Sequence, residues 1–124
     1  MKALLIDPSN QTITEIEFDG GLEAIYKIME CNMVEAPIEF ENGDILWCDE
    51  EGKLKYEDEI IGGITYTKDW YDVITGKCLV TGIDEEGDTC DCKSTPDYIK
   101  TAYRGFRWVT KDEAVRYLEM NGFM

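Results

Sequence analysis

The chain contains no histidine. That removes the commonest general base and the commonest metal ligand, and it excludes Ser–His–Asp and Cys–His catalytic pairs. Cations are scarce: 12 Lys+Arg stand against 27 Asp+Glu, a formal net charge of −15 over 124 residues. A field of that sign repels nucleic-acid backbones and anionic lipid, so direct binding to either is not expected. No apolar run approaches the roughly 20 residues that span a bilayer. The opening Met1-Lys2-Ala3-Leu4-Leu5-Ile6 is too short for a secretory core and turns at Asp7-Pro8, so a cytoplasmic protein is expected. The five cysteines (Cys31, Cys48, Cys78, Cys90, Cys92) are odd in number and irregularly spaced. That suits neither a disulfide framework nor paired zinc knuckles. Cys90-Asp91-Cys92 is the one close pair, and on a strand both thiols would face the same side. There is no G-x-S-x-G elbow, no P-loop and no dinucleotide G-x-G-x-x-G. No cofactor, no metal and no catalytic residue is expected.

What is present describes one folded domain over residues 1–124. The hydrophobic fraction of 44% and aromatic fraction of 11% are enough for a core. Lys2–Ile6 and Thr12–Phe18 read as a hairpin around Asp7-Pro8-Ser9-Asn10-Gln11, with one face to the core and Glu15 and Glu17 on the other. Asp19 reads as the N-cap of a helix whose stripe is Leu22, Ile25, Tyr26 and Met29. Met33–Phe40 alternates, with Val34, Ala36, Ile38 and Phe40 on one face, and Pro37 favours an edge. Asn42-Gly43 predicts a type I′ turn into Ile45–Cys48. Lys53–Tyr56 reads as a further strand.

Residues 57–76 read as a long loop with one short strand at Ile64–Thr67, broken by Gly62-Gly63. Lys77–Ile83 and Thr89–Cys92 read as strands. The tetrad Asp-Glu-Glu-Gly occurs at 49–52 and again at 84–87, where glycine would supply a left-handed residue to each tight turn. Thr95-Pro96-Asp97 starts a helix. Phe106–Val109 is a short strand or connector, and Thr110-Lys111-Asp112-Glu113 is a capping box for a helix ending at Gly122. Its buried stripe is Ala114, Tyr117 and Leu118, with Val115. The fold class is α+β: a twisted, mainly antiparallel sheet of short hairpins, packed by one N-terminal and two C-terminal helices.

Charge is unevenly spread. Residues 95–124 hold five basic side chains (Lys100, Arg104, Arg107, Lys111, Arg116) and four acidic ones (Asp97, Asp112, Glu113, Glu119). Their net of +1 leaves −16 for the acidic hairpin part, residues 1–94, of the chain's −15. Two readings stay open for the C-terminal segment. Its helices dock on the acidic sheet, or Tyr103-Arg104-Gly105-Phe106-Arg107-Trp108 presents arginine forks and aromatic faces to a phosphate-bearing ligand.

Strand residues i and i+2 lie about 6.8 Å apart on one face. Glu15/Glu17 therefore form a line of charge, and Glu35/Glu39 another with a gap at Pro37. Rows of carboxylates imitate part of the charge array of duplex DNA, one per roughly 3.4 Å of axis per strand. The leading expectation is a non-enzymatic acidic interaction protein, a DNA mimic that binds a basic host protein of the nucleic-acid-binding or defence kind. Its contact residues would be Glu15, Glu17, Glu50, Glu51, Asp84, Glu85, Glu86 and Asp88. The alternative is a phosphate- or nucleotide-sequestering module using Lys77, Arg104, Arg107, Trp70, Tyr71 and Trp108, with a homo-oligomer able to complete its pocket. A third is a weak metal-assisted hydrolase, silenced by chelator. Asp84-Glu85-Glu86-Gly87-Asp88 offers oxygen ligands but lacks EF-hand spacing.

Three stretches together carry a resemblance. Met1-Lys2-Ala3-Leu4-Leu5-Ile6-Asp7-Pro8 followed by Ile13-Thr14-Glu15-Ile16-Glu17 is the first. Asn42-Gly43-Asp44-Ile45-Leu46-Trp47-Cys48-Asp49-Glu50-Glu51-Gly52 is the second, and Gly76-Lys77-Cys78-Leu79-Val80-Thr81-Gly82 the third. Over roughly residues 1–92 the chain resembles a family of small acidic proteins of unknown function from bacteriophages and other mobile elements. The resemblance implies a bacterial host and an accessory role, and it transfers no catalytic residue. Residues 95–124 depart from the pattern.

Overall fold

The computed structural model describes residues 1–68 and 70–124, the side chains of Trp70 and Tyr71 excepted. Among the described residues the chain is α+β, with mostly antiparallel sheets and three helices. The hairpin β1 (Lys2–Asp7) and β2 (Thr12–Glu17) forms as expected. Its loop is held by Asp7, whose carboxylate accepts from the Ser9 amide, the Ser9 hydroxyl and the Asn10 side chain. Then come α1 (Leu22–Met29), β3 (Val34–Glu39) and β4 (Ile45–Asp49). Two single-turn 3₁₀ segments, Gly52–Leu54 and Glu57–Glu59, lead to β5 (Gly63–Tyr66) and β6 (Trp70–Thr75). After β7 (Cys78–Ile83) and β8 (Thr89–Cys90) follow α2 (Pro96–Thr101), β9 (Phe106–Val109) and α3 (Lys111–Met120).

The strands divide into two sheets. The larger runs β2-β1-β7-β4-β3, with β8 paired to the end of β7, and the smaller runs β6-β5-β9. Stacking gives four layers: α1, large sheet, small sheet, α3. Alternation along β7 shows why. Leu79 points to Ala3, Phe18, Ile25 and Met29 under α1. Cys78 and Val80 point the other way, to Leu4, Ile6, Leu46, Ile64, Tyr66 and Ile99. The far face of the small sheet places Val73 and Val109 against Ala114, Val115 and Leu118 of α3. Each fully buried aliphatic side chain contributes about 1.5–3 kcal/mol.

Several local expectations are corrected. Lys53–Tyr56 is not a strand but part of the 3₁₀ connection. Residues 57–76 hold a whole hairpin rather than a loop with one strand. Gly63 opens a strand there: its backbone pairs on both sides, and a Cβ would overlap the Ile74 carbonyl. Asp19 does not cap α1. The N-cap is Gly21, at positive φ with an extended ψ, and its amide donates to Thr89 Oγ1 at 2.8 Å. Leu22 is exposed, and the buried stripe is Ile25 and Met29, flanked by Ala24 and Ile28.

The 40–44 turn is not type I′. The Gly43 amide donates to the Phe40 carbonyl and the Phe40 amide to the Asp44 carbonyl, so the loop is Glu41–Gly43; its central turn residues Glu41 and Asn42 lack positive φ, and Gly43 after them has it. Alternation in β3 breaks at a bulge between Glu35 and Ile38. Val34 thus packs towards α1 while Ile38 packs between the sheets, and Glu35 and Glu39 end on opposite faces. Pro37 does sit on an edge strand.

The hairpin does not reserve one face for carboxylates either. Ile13, on the Glu15/Glu17 side, packs on the inter-sheet core, while Ile16 packs under α1. The two Asp-Glu-Glu-Gly turns share an Asp rather than a glycine. Asp49 and Asp84 each accept from the amide two residues on, at 2.9 Å, whereas only Gly87 has positive φ. β8 ends at Cys90, which is half-buried, and Cys92 turns into the inter-sheet core, so the two thiols do not share a strand face.

Both C-terminal helices start as expected. Thr95 accepts from the Tyr98 amide with Pro96 at the first turn, and Thr110 and Glu113 form the reciprocal box.

Candidate functional site

Strand register gathers most of the named carboxylates at one end of the large sheet. Lys2 lies opposite Glu17, and Leu4 opposite both Glu15 and Val80. The Lys2 end of β1, the Glu17 end of β2 and the Ile83 end of β7 are therefore neighbours. The Gly21–Thr89 hydrogen bond ties the exit of β2 to the β7–β8 hairpin. Glu15, Glu17, Asp84, Glu85, Glu86 and Asp88 are all exposed around this end. Two further exposed carboxylates join them: Asp19, beyond β2, and Asp91, which accepts from the Lys2 amide at 2.9 Å. Sequence reasoning missed both, because Asp19 suited a cap and Asp91 stood between two cysteines.

The charges at this end are not equally available. Glu15 meets Lys2 Nζ at 3.3 Å, and Glu17 meets the N-terminal amine at 3.3 Å. Such exposed pairs contribute little and exchange readily. Asp84 is partly committed to its own loop through the amides of Glu86 and Asp88. Glu85, Glu86 and Asp88 make up the rest of the hairpin tip.

Glu50 and Glu51 lie elsewhere. Cys48 pairs with Cys78 at the beginning of β7, so the turn after β4 sits at the opposite end of the sheet. Five strand steps, roughly 17 Å, separate the two ends of β7. The eight residues therefore form two groups.

The residues named for a phosphate ligand are dispersed. Lys77 lines a cavity of about 400 Å³ together with Lys55, Glu30, Asp49 and Glu59. There Lys77 Nζ lies 4.0 Å from Glu30, and Lys55 Nζ lies 3.2 Å from Asp49. Arg107 and Trp108 are on β9, and strand alternation aims them to opposite faces. Arg107 pairs with Glu113, while Trp108 packs edge-on to Phe106 with ring centroids 5.4 Å apart. Arg104 is exposed in the turn after α2. The side chains of Trp70 and Tyr71 lie outside the described residues. Tyr98, Tyr103, Phe106 and Trp108 pack against the inter-sheet core with Phe40 and Tyr66, so most aromatics of the C-terminal segment serve the interior.

A second polar cluster joins the 3₁₀ connection to the small sheet and α3. Lys53 Nζ lies 2.5 Å from Asp72 Oδ1, and the Tyr117 hydroxyl donates to the same oxygen. Burial alone would raise the Asp72 carboxyl, but the bonds from Lys53 and Tyr117 hold it below its ordinary range. Lys53 is likewise lifted despite burial, through Asp72. Two buried thiols are poor nucleophiles: burial, with the Glu35 carboxylate beside it, pushes Cys48 up to about 12, and burial raises Cys78 well above its ordinary value. Among the described residues no three His, Cys, Asp or Glu side chains are grouped to hold a metal ion, and no helix is long and apolar enough to cross a membrane.

A family model described as a domain of unknown function, DUF3846, matches residues 1–105. The chain belongs to that family. The DUF3846 match extends past residue 92, through α2 to Gly105, so the family pattern covers more of the chain than the sequence resemblance reaches. It stops before β9 and α3, which supply an edge of the small sheet and its outer layer. No curated protein and no solved structure matches the DUF3846 chain.

Proposed function

We propose that this DUF3846 protein is a non-enzymatic acidic interaction protein of a phage or other mobile element, which binds a basic nucleic-acid-binding or defence protein of the bacterial host. The observation that carries the reading is the convergence of Glu15, Glu17, Asp84, Glu85, Glu86 and Asp88 at one sheet end, where they outnumber the local cations: Lys2, the N-terminal amine and Lys93 beside the start of β4. A partner that binds DNA presents a lysine- and arginine-lined groove. Carboxylates on a rigid sheet end meet it without the ordering cost of a flexible acidic tail. Encounter is fast and salt-sensitive, because steering acts over the Debye length.

The phosphate-sequestering alternative has less support. Lys77 shares its cavity with three carboxylates and stands apart from Arg107 and Trp108.

Reversing Glu17, Glu85, Glu86 and Asp88 to lysine tests the reading. These positions are exposed, so the thermal midpoint should stay within a few degrees of the parent. Binding to the basic partner should be abolished. Reversal of Glu50 and Glu51 at the far end should leave binding intact, and binding that survives the first set would contradict the proposal.

A further inference from the structure

One edge of the large sheet lies beside this acidic end, and it is open. Met1 and Phe18 exchange both backbone bonds: the Phe18 amide donates to the Met1 carbonyl at 2.9 Å, and the N-terminal amine to the Phe18 carbonyl at 2.8 Å. That exchange fixes the phase of the β1–β2 ladder. Pairs at steps of two from it, Ala3–Ile16, Leu5–Thr14 and Asp7–Thr12, turn their amides and carbonyls inwards. Ile13, Glu15 and Glu17 therefore turn theirs outwards, away from β1.

β2 is the outermost strand, and its six pairs with β1 run without a bulge. The opposite edge differs. β3 carries Pro37 and a register shift between Glu35 and Ile38, both of which blunt an edge. β6 has a shift of its own at Thr65/Tyr66. β2 has neither device, and its outer row carries carboxylates at two of three positions.

Resting on the acidic-partner reading above, we propose that β2 is a strand-addition site that accepts an extended segment of the basic partner. Lysine or arginine at alternate positions would face Glu15 and Glu17. Apolar residues or threonine between them would extend the face that carries Ile16. Backbone bonds supply affinity in this mode, and alternate side chains supply selectivity.

A second copy of the chain fits poorly. Antiparallel pairing of β2 with itself gathers four carboxylates on one face at cross-strand and diagonal distances, where like charges repel. The acidic row thus rejects self-pairing and admits a basic strand.

The test uses a short synthetic peptide alternating lysine with valine and threonine, at low salt, followed by fluorescence anisotropy. Three proteins are compared: the parent, Glu15→Ala and Glu15→Pro. Alanine removes the charge and keeps the outward amide. Proline removes that amide as well, and an edge position tolerates it because the β1 ladder does not use it. The expected result is that proline weakens binding about tenfold beyond alanine, the worth of an exposed-edge backbone bond.

The parent protein provides a second arm independent of the folding of either variant. Peptide N-methylated on the residues that pair with β2 should lose the same affinity, and hydrogen exchange at Ile13, Glu15 and Glu17 should slow when unmethylated peptide is bound. Equal affinity of the proline and alanine variants, or binding indifferent to methylation, would overturn strand addition and leave the acidic reading standing. Failure of every basic peptide and of the basic partner protein would overturn both.

Discussion

Asp44 and Ser94 are 50 residues apart, yet the buried Asp44 carboxylate accepts both the Ser94 amide at 2.8 Å and the Ser94 hydroxyl at 2.5 Å. The Lys93 amide donates to the same group at 2.9 Å. Asp44 immediately precedes β4, and residues 93–94 carry the chain across the sheet end towards α2. This carboxylate therefore fastens the crossing segment that follows β8. Asp44→Ala strands the buried Ser94 amide and hydroxyl and the part-buried Lys93 amide, and should cost about 3 kcal/mol, read as a fall in denaturant midpoint. Asp44→Asn keeps the shape and one acceptor oxygen, and should cost less.

The Lys53–Asp72–Tyr117 cluster predicts how the protein meets acid. The folded Asp72 pKa is depressed, so its stabilisation is present above the unfolded value and is lost as pH falls through the folded one. Lys53 has the opposite sign: its contribution is present below its unfolded value and disappears as pH rises through the lifted folded one. Thermal midpoints should therefore fall below about pH 4, and less steeply for Asp72→Asn than for the parent. With no histidine to titrate, the midpoint should hardly change between about pH 5 and 7.

The thiols make a labelling prediction. Cys31 and Cys90 are half-buried, while Cys48, Cys78 and Cys92 are buried. A thiol reagent at pH 8 should label the first two in the native state and the other three only as fast as the protein unfolds. Rapid native labelling of Cys78 would contradict the placement of β7 at the centre of the large sheet.

Core packing predicts two substitutions of opposite sign. Leu79 is wholly buried under α1, and Leu79→Ala should destabilise by about 2–5 kcal/mol. Thr75 is buried behind Gly52, and its hydroxyl has no partner among the described residues. Thr75→Val removes an unsatisfied group at nearly constant shape, so it should be neutral or stabilising by about 1 kcal/mol. Chemical denaturation measures both.

What the sequence could disclose depended on how local each signal was. The boxes at Thr95-Pro96 and Thr110–Glu113 are complete within one helical turn, and both form. The β5–β6 hairpin was illegible for two reasons. Gly62-Gly63 has the look of a breaker, although Gly63 is glycine because the Ile74 carbonyl lies against it. β6 also buries neighbouring residues on opposite sides, Val73 under α3 and Ile74 between the sheets, which erases alternation. The acidic residues themselves were plain, but their grouping was not. Only register shows that Glu17 and the 84–88 tip are neighbours while Glu50 and Glu51 are remote. A bulge, invisible in composition, separates Glu35 from Glu39.

Native mass spectrometry of the protein purified gently from a bacterial host tests the central claim most directly. At low salt it should carry a basic nucleic-acid-binding or defence protein, which is released at moderate salt and is absent from the Glu17, Glu85, Glu86, Asp88 reversal variant. A retained small-molecule mass with no protein partner would contradict the account and would move attention from the carboxylates to Lys77 and its cavity.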